Sequence, residues 1–296
     1  MSSIGTIIKT ANLTKHYGKR LGIENVNLEV HGGEIFGYLG PNGAGKTTTI
    51  RTLLDFIRPT SGEARIFGLD TRANSVDIHR RIGYLAGDLE LYGNMTGEDL
   101  LRYIGDLRDG LDWKYVQTLA ARFECDLPRR IKTLSHGNKR KIGLIQAFMN
   151  KPELVILDEP TNGLDPLMQH EFYHLLDETK KAGRTVFLSS HIMPEVEKVC
   201  DRVAIIREGK LVTVETIGEL KAKTLRRLEI HFARPVPPGS FAGVPGVKDV
   251  SVQGDLLTCN VTGSLDALIK AAAKFEVIDI VSHEASLEEI FMTFYE

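Results

Sequence analysis

The chain has 296 residues, of which 42% are hydrophobic and 26% are charged, the proportions of an ordinary globular protein with one large or two modest domains. Its formal net charge of −2 at pH 7 argues against a general nucleic-acid binder, which would carry a basic excess, so we expect no nucleic-acid partner. The three cysteines, Cys125, Cys200 and Cys259, lie far apart, which is typical of reduced thiols in a cytosolic protein.

The sequence contains no signal for entering a membrane by itself. No run approaches the roughly 18 apolar residues that cross a bilayer, and the segment Met1–Thr10 has neither the basic region nor the apolar core of a signal peptide. We therefore expect a cytoplasmic protein whose membrane connection comes through a partner.

The first third of the chain predicts strands that lead to a phosphate-binding loop. Alternating apolar and polar residues indicate strands between Ile7 and Leu39, and the apolar run Ile35–Leu39 indicates a buried strand. The sequence GPNGAGKT at Gly40–Thr47 follows and fits the phosphate-binding pattern. Helical spacing then runs from Lys46 to Ile57. Strand, loop and helix therefore occur in the order that aims a helix N-terminus at phosphates.

Each residue type in this loop has a chemical reason to be there. Glycines let backbone N–H groups turn inward around an anion, Lys46 adds a positive charge, and Thr47 offers a hydroxyl to Mg²⁺. Thr is also an ordinary residue at a helix start. The residues that we expect to bind nucleotide here are Gly40, Pro41, Asn42, Gly43, Ala44, Gly45, Lys46, Thr47 and Thr48.

The middle of the chain alternates helices with short apolar runs. After a strand-like segment at Ala64–Phe67, a largely helical stretch runs from about Gly97 to Met149. Buried strands are then predicted at Leu154–Asp158, Thr185–Ser189 and Arg202–Arg207, with helices at Leu167–Lys181 and Met193–Val199 between them. This alternation predicts a parallel sheet with helices on its faces.

Two carboxylates follow the first of these strands. Asp158 and Glu159 stand at its carboxyl end, where open α/β sheets bind ligands. We expect Asp158 to reach Mg²⁺ and Glu159 to polarise the attacking water as a general base. The alternative is an acid pair that only solvates a loop. His191 ends the next strand, where a lone histidine is usually structural.

Four strings in one order carry a resemblance to a known family. Beside GPNGAGKT, the chain has LSHGN at Leu134–Asn138, LVILDEP at Leu154–Pro160 and SSH at Ser189–His191. Together they resemble the ATP-binding cassette (ABC) family, and the match covers Leu13 to about Val214. The resemblance implies a P-loop NTPase core of α/β class with an antiparallel β subdomain and a helical subdomain at about residues 88–150, all within residues 1–220.

The resemblance also implies ATP and Mg²⁺ as cofactors and gives roles to single residues. Lys46, Glu159 and His191 match catalytic positions, the histidine being the one that contacts the γ-phosphate. Thr47 and Asp158 match the Mg²⁺ ligands. Tyr17 matches the aromatic residue that stacks on the adenine of ATP, although a tyrosine in a half-buried strand is also ordinary.

In this family each ATP is completed by a second chain, which makes the active unit a dimer with another copy or with a paralogous ATPase. LSHGN at Leu134–Asn138 resembles the family's signature loop, and the partner's copy of this loop contacts the γ-phosphate. Asp165 matches the loop that links the two ATP sites, but an Asp there can equally cap the helix that begins at Pro166. The expected signature-loop residues are Ser135, His136, Gly137 and Asn138.

The sequence departs from the family pattern at two places. The signature loop has His136 for the commoner Gly and Asn138 for the commoner Gln. After the strand-like segment Ile82–Leu85, the Gln that usually touches Mg²⁺ is replaced by Gly87. The candidates to take over part of that metal contact are Asp88, one residue on, and a water molecule.

The segments Gly87–Arg108 and Ser286–Glu296 resemble exporter ATPases of the bacterial daunorubicin-resistance type. This implies a membrane-spanning permease as partner, a position on the cytoplasmic face of the membrane, and export of a lipophilic compound or a polymer. The alternative is a soluble ABC ATPase, for example in cofactor-cluster assembly.

A different motif predicts a different chemistry. His170 and His174 fit H-E-x-x-H, the zinc-protease helix. A catalytic zinc also needs a third protein ligand, and no candidate for that ligand is evident.

The character of the sequence changes near Leu220, where prolines and glycines crowd the segment Pro235–Gly246. Residues 221–296 predict a small α+β appendage, ferredoxin-like in outline and without a catalytic constellation. Its predicted elements are strands at Leu228–Phe232, Val247–Val252, Leu256–Val261 and Glu276–Val281 and helices at Ser264–Lys274 and Ser286–Phe294.

Overall fold

The computed structural model describes residues 5–108, 110–222 and 226–283. The chain divides into two compact units, Met1–Val214 and Glu215–Glu296, so the division falls a few residues before the position that the sequence suggests. Within the described residues, no helix is long and apolar enough to cross a membrane.

The first unit contains the strands β1 (Thr6–Tyr17), β2 (Arg20–Val26), β3 (Glu29–His31), β4 (Ile35–Leu39), β5 (Ser61–Ile66), β6 (Leu69–Asp70), β7 (Ile82–Leu85), β8 (Leu154–Asp158), β9 (Thr185–Ser190), β10 (Arg202–Arg207) and β11 (Lys210–Thr216), the last of which crosses into the second unit. Its α-helices are α1 (Lys46–Leu53), α2 (Ser75–Arg80), α3 (Gly97–Asp106), α4 (Trp113–Arg122), α5 (His136–Phe148), α6 (Pro166–Lys181) and α7 (Met193–Val199).

The strands form two sheets. The antiparallel sheet has the order β2-β1-β5-β6, with β3 pairing β1. The second sheet has the order β11-β10-β4-β9-β8-β7, and the neighbours from β10 to β7 run parallel. β4, β8 and β9 are buried along their whole length, which is why they appear in the sequence as apolar runs rather than alternating ones.

The register of the parallel sheet places the site. Asp158, the last residue of β8, pairs with Ser189 of β9, and Leu39 of β4 pairs with Ser190. The phosphate loop (Gly40–Thr47), the two carboxylates and His191 therefore leave the sheet at the same edge. The carboxyl ends of parallel strands meet there, as α/β ligand sites require.

Helix α1 is shorter than the spacing predicts. It ends at Leu53, with Leu54 as its C-cap, and Asp55 has a positive φ of 54°. A residue in that left-handed region cannot continue a right-handed helix, so the turn to Pro59 begins earlier than Ile57.

Helix α5 packs against β7 without room for a side chain at one position. A Cβ on Gly83 would lie 1.8 Å from the carbonyl oxygen of Ala147. On the other side of the contact, a Cβ on Gly143 would lie 2.7 Å from Leu85 and 2.6 Å from Leu89. Glycines thus let this helix and strand approach closely.

The second unit contains α8 (Ile217–Ala222), β12 (Arg226–Phe232), β13 (Val247–Gln253), β14 (Leu256–Val261), α9 (Asp266–Ala272) and β15 (Val277–His283). Its sheet is antiparallel with the order β13-β14-β12-β15. A ferredoxin-like unit has a helix between its first two strands, whereas the segment from Pro235 to Gly246 carries none, because its prolines and glycines disfavour helix. The predicted helix Ser286–Phe294 lies outside the described residues.

Candidate functional site

The phosphate loop connects β4 to α1 and curls through two glycines. Gly43 and Gly45 have φ of 82° and 109°, a conformation that residues with side chains rarely adopt, and α1 begins directly after them at Lys46. A cavity of about 470 Å³ lies against the loop. Its lining residues are Tyr17, Arg20, Leu21, Gly22, Pro41, Asn42, Gly43, Gly45, Lys46, Thr47, Thr48, Arg51 and Glu159.

Lys46 is buried, with 5% of its surface exposed. Its ammonium donates to the carbonyl oxygens of Gly40 at 2.6 Å and Pro41 at 3.2 Å and lies 3.0 Å from Glu159 Oε1. That carboxylate oxygen has no hydrogen-bond partner, so the contact is an ion pair without hydrogen-bond geometry. The loop thereby holds a cation at the wall of the cavity.

Thr47, Asp158 and Ser189 form one hydrogen-bonded chain. The Thr47 hydroxyl donates to Asp158 Oδ2 at 2.8 Å, and the Ser189 hydroxyl donates to Asp158 Oδ1 at 2.5 Å. A hydroxyl and a carboxylate are the hard oxygen ligands that Mg²⁺ takes. The residues at this point of the site therefore fit the predicted metal.

Glu159 stands in an unusual backbone conformation. Its φ is 50°, a conformation that costs a residue with a side chain of order 1–3 kcal/mol and persists only where the surrounding structure enforces it. Its N–H donates to the Ser189 carbonyl oxygen at 3.1 Å, and its Oε2 lies 2.7 Å from His191 Nδ1. The carboxylate thus lies between Lys46 and His191, the two other predicted catalytic residues.

Tyr17 presents its ring at the rim of the cavity with 46% of the residue exposed. A Cβ on Gly22 would lie 2.9 Å from Tyr17 Cε2 and 3.1 Å from Thr48 Cγ2, so a glycine is needed beneath the ring. The ring lies where a planar group above the phosphate loop could stack on it, as its predicted role requires.

The signature loop (Leu134–Asn138) lies at the start of α5. Ser135 is the N-cap, and its hydroxyl accepts from the N–H of Asn138 at 3.3 Å. A Cβ on Gly137 would lie 2.5 Å from the Gly163 carbonyl oxygen, and one on Gly163 would lie 2.8 Å from His136 Nδ1. The signature loop is therefore packed on the loop that leads to Asp165.

Asp165 caps α6, which confirms the local interpretation of this residue. It is the N-cap, and its Oδ1 accepts from the N–H of Met168 at 3.0 Å. The role of Asp165 between two ATP sites stays a prediction.

The departure at Gly87 has a clear geometry. A Cβ on this glycine would lie 3.0 Å from Asp158 Oδ2, so position 87 faces the predicted metal ligand directly. Tyr84 of β7 lies near the same carboxylate. Its pKa is raised to about 12 by burial and by the negative charge of Asp158. Asp88 is exposed, and its role toward Mg²⁺ stays a prediction.

His170 and His174 lie next to each other on α6, with ring centroids 4.4 Å apart. Among the residues that the structure describes, no group of three or more His, Cys, Asp or Glu side chains could hold a metal ion. The third ligand that a zinc protease needs is therefore not found in that part of the chain.

Sequence reasoning missed two buried charged residues next to the site. Glu195 of α7 is 4% exposed and accepts from the hydroxyls of Ser190 at 2.7 Å and Thr161 at 3.2 Å. Burial raises its pKa to about 7. Arg140 of α5 is 1% exposed. Both residues lie among other charged residues in the sequence, Arg140 between Lys139 and Lys141 and Glu195 two residues before Glu197, so no local signal marks them as buried.

Comparison with known proteins gives consistent matches. A family model described as ABC transporter matches residues 23–162. The chain is 40% identical over 235 residues to the bacitracin transport ATP-binding protein BcrA of Bacillus licheniformis, covering 78% of this chain and 76% of that protein. It is 34% identical over 236 residues to the daunorubicin/doxorubicin resistance ATP-binding protein DrrA of Streptomyces peucetius, covering 77% and 71%.

A solved structure described as the ATP binding subunit of an ABC transporter has the same fold. It superposes with a TM-score of 0.69 at 29% sequence identity, covering 73% of this chain and 92% of that chain. Sequence and structure therefore point to the same kind of protein.

Proposed function

The chain belongs to the ABC transporter family as an ATP-binding and ATP-hydrolysing subunit, and we propose that it works as half of a dimer that powers export through a separate membrane permease. The dimer would consist of two copies of this chain or of one copy and a paralogous ATPase. The relatives support transport rather than the soluble alternative, since BcrA and DrrA are named for bacitracin transport and for daunorubicin/doxorubicin resistance.

One structural observation supports the proposed dimer. Among the described residues, the lining of the cavity beside Lys46 includes none of Ser135–Asn138. Yet Ser135 begins a 13-residue helix, whose N-terminal N–H groups favour an anion. This separation supports the proposal that a partner's signature loop would close the site over the phosphates.

The residues of the cavity divide the work of nucleotide binding. Tyr17 would stack on the base, the N–H groups of the phosphate loop would surround the β- and γ-phosphates, and Lys46 would neutralise part of their charge. Thr47 and Asp158 would hold Mg²⁺, which supplies charge neutralisation of the phosphate oxygens when bound. These roles follow the chemistry of the donors present.

Hydrolysis requires a general base beside the water that attacks the γ-phosphate. The Glu159 carboxylate is held by backbone hydrogen bonding to Ser189 and faces the cavity beside Lys46, so it is the group placed to accept the proton of the attacking water. His191 at 2.7 Å from Glu159 orients that carboxylate and would also face the γ-phosphate.

The permease is expected to contact the segment Asp88–Arg102. Asp88 and Glu90 are exposed, and the Tyr92 ring, at 65% exposure, is an apolar group without cover in the described chain. We propose this segment as the wall of the permease groove and place the dimer on the cytoplasmic face of the membrane. We expect the exported substrate to be a lipophilic compound or a polymer; the two relatives are named for bacitracin transport and for daunorubicin/doxorubicin resistance.

Mixing two inactive variants tests the composite site. Ser135→Arg blocks the signature loop and Lys46→Ala removes the phosphate contact, so a mixed dimer can place both defects in one site and leave the other intact. We expect ATPase activity above that of either variant alone. The control is a chain that carries both changes. Its homodimer has both defects in each site and should stay inactive. Activity in a chain that light scattering shows to be monomeric would overturn the dimer.

A second experiment tests the transporter itself. Affinity purification of the chain from detergent-extracted membranes should recover a polytopic membrane protein, and charge reversal at Asp88 or Glu90 should reduce that recovery without loss of ATP binding. Recovery of only soluble partners would favour the cluster-assembly alternative.

A further inference from the structure

Arg140 is a buried cation whose partners are all main-chain carbonyl groups. A guanidinium carries five N–H donors, and five carbonyl oxygens surround this one. Nη1 donates to Ala86 at 2.6 Å and Gly87 at 2.9 Å, Nη2 donates to Asp158 at 2.6 Å and to Glu159, and Nε donates to Pro160 at 3.3 Å. The donor capacity of the side chain is therefore filled.

These five acceptors come from two segments that the site brings together. One is the end of β8 and the residues after it, Asp158–Pro160, which carry the predicted metal ligand and the base. The other is Ala86–Gly87, where the family's Gln is missing. Arg140 therefore joins the main chain of Asp158–Pro160 to the main chain of the Ala86–Gly87 loop, which directly precedes the segment proposed to contact the permease.

A buried charge of this kind is costly unless its hydrogen bonds are satisfied, and burial lowers the pKa of Arg140. An apolar residue could fill the same space but would remove five hydrogen bonds from these buried carbonyls, of which, among the described residues, only that of Glu159 is shown with a second donor, the N–H of Asn162 at 3.3 Å. The arrangement also explains how Glu159 keeps its positive φ, because the carbonyls before, at and after this residue are all held by one side chain.

Arg140 belongs to the same helix as the signature loop. It lies in α5, whose N-cap is Ser135, and α5 is packed on β7 at Gly83 with no spare space. A displacement of the N-terminus of α5 is therefore passed to Arg140, and from there to both bound segments, since packed elements move as bodies rather than deform.

We propose that Arg140 is a positioning residue that couples occupation of the signature loop by the partner's ATP to the placement of Glu159 and to the Ala86–Gly87 loop. This coupling rests on the proposed dimer. It runs through main-chain carbonyls and therefore requires no Gln at position 87.

The substitution Arg140→Lys tests the positioning role. Lysine keeps the charge but carries its donors on one nitrogen, which cannot span five carbonyls in two segments. We expect kcat to fall on the order of 100-fold, since small misplacements of catalytic groups cost that much, while the Kd for ATP changes less than about threefold. Assays are run well below the melting temperature of the variant.

Arg108→Lys is the matched control. Arg108 is a half-buried arginine that donates to the carbonyl of Ile82 at 2.8 Å, at the other end of β7. It should lose stability and keep its kcat. If Arg140→Lys keeps the wild-type kcat, or if both variants lose kcat equally, the positioning role is wrong.

A measurement with Arg140 intact covers the case in which its variants do not fold. Hydrogen exchange is followed at residues 84–90 on adding ATP to the Glu159→Gln chain, alone and combined with Ser135→Arg. We expect ATP to protect this segment only when Ser135 is present, whereas the phosphate loop is protected in both. Equal protection of 84–90 in both chains would overturn the coupling. The proposed function fails separately, if Glu159→Gln hydrolyses ATP normally.

Discussion

The ammonium of Lys46 lies 3.0 Å from the carboxylate of Glu159, and both side chains are largely buried. The group predicted to hold phosphate and the group predicted to activate water therefore neutralise one another. A triphosphate offers Lys46 more negative charge than one carboxylate does, so its binding would compete with the ion pair and release Glu159 toward the attacking water.

Replacing Glu159 by Gln separates binding from hydrolysis. The amide keeps the shape but loses the basicity, so we expect kcat to fall by about 10²–10⁴-fold, while ATP affinity stays equal or rises because Lys46 loses its competitor. Phosphate release and nucleotide titration measure the two quantities. Glu153→Gln, at the residue just before the same strand and paired with Arg81, is the control. Wild-type turnover in Glu159→Gln would remove this residue from the mechanism.

Replacing Lys46 by Ala should act on binding itself. Hydrogen bonds to charged groups contribute about 1.5–3 kcal/mol, which corresponds to a roughly 10- to 150-fold rise in the Kd for ATP. Lys9→Ala, an exposed lysine paired with an exposed glutamate, should leave the Kd unchanged. An unaltered Kd in Lys46→Ala would contradict the placement of the phosphates.

Tyr17 gives a test of where the adenine lies. Stacking of a base on an aromatic side chain is worth about 1–3 kcal/mol, so Tyr17→Ala should weaken ATP binding by about 5- to 150-fold, whereas Tyr17→Phe should retain it. Tyr103→Ala removes a comparably exposed ring from α3 and serves as the control. Equal affinities of the Ala and wild-type chains would place the base elsewhere.

The buried carboxyl of Glu195 predicts a pH dependence of stability. Its pKa is raised by burial to about 7, from 4.5, so between these values the folded chain holds a proton that the unfolded chain releases. Stability from this group is greatest at low pH and falls as pH rises toward 7. From pH 5.5 to 8.5 the loss is about 2 kcal/mol.

Glu195→Gln cannot ionise and should lack this loss. Denaturant unfolding at the two pH values gives the free energy of unfolding of both chains. Relative to the wild type, that of the variant should rise by about 2 kcal/mol from pH 5.5 to pH 8.5. Glu208→Gln changes a side chain that is 83% exposed and should show no such shift. A wild-type-to-variant difference that is the same at both pH values would mean that Glu195 titrates normally.

Gly83 tests the contact between β7 and α5. A Cβ there would meet the Ala147 carbonyl at 1.8 Å, so Gly83→Ala must force the helix from the strand and should destabilise the chain by about 3 kcal/mol or more. Gly218→Ala is the matched change where no atom lies within 4 Å, and it should be neutral or slightly stabilising. A Gly83→Ala chain as stable as the wild type would show that the contact yields.

The local sequence pattern was sufficient to predict the strands that position the site residues. The apolar runs at Leu154–Asp158 and Arg202–Arg207 are strands with those bounds, because strands buried on both faces leave an unbroken signal. The family and fold class inferred from the motifs are confirmed. Motif spacing succeeds here because a phosphate loop constrains a few consecutive residues.

The remainder depends on contacts that sequence spacing does not encode. The predicted end of α1 was wrong because the helical spacing continues past Asp55, whose positive φ ends the helix. Within the described residues, the ferredoxin-like outline lacks a helix between β12 and β13, where the sequence itself has a segment rich in proline and glycine. Arg140 looked like one more basic residue after the signature loop. Its burial becomes visible only when β7, β8 and α5 are brought together.

The five bonds of Arg140 end on atoms that every amino acid possesses. Substitutions at Ala86, Gly87 or Pro160 change side chains but leave the carbonyl oxygens in place, so this contact is insensitive to most mutations of its own partners. The carbonyl bond at position 87 does not depend on which residue stands there, although a Cβ at that position would lie 3.0 Å from Asp158 Oδ2. The constraint on this part of the site therefore rests on a single position in α5.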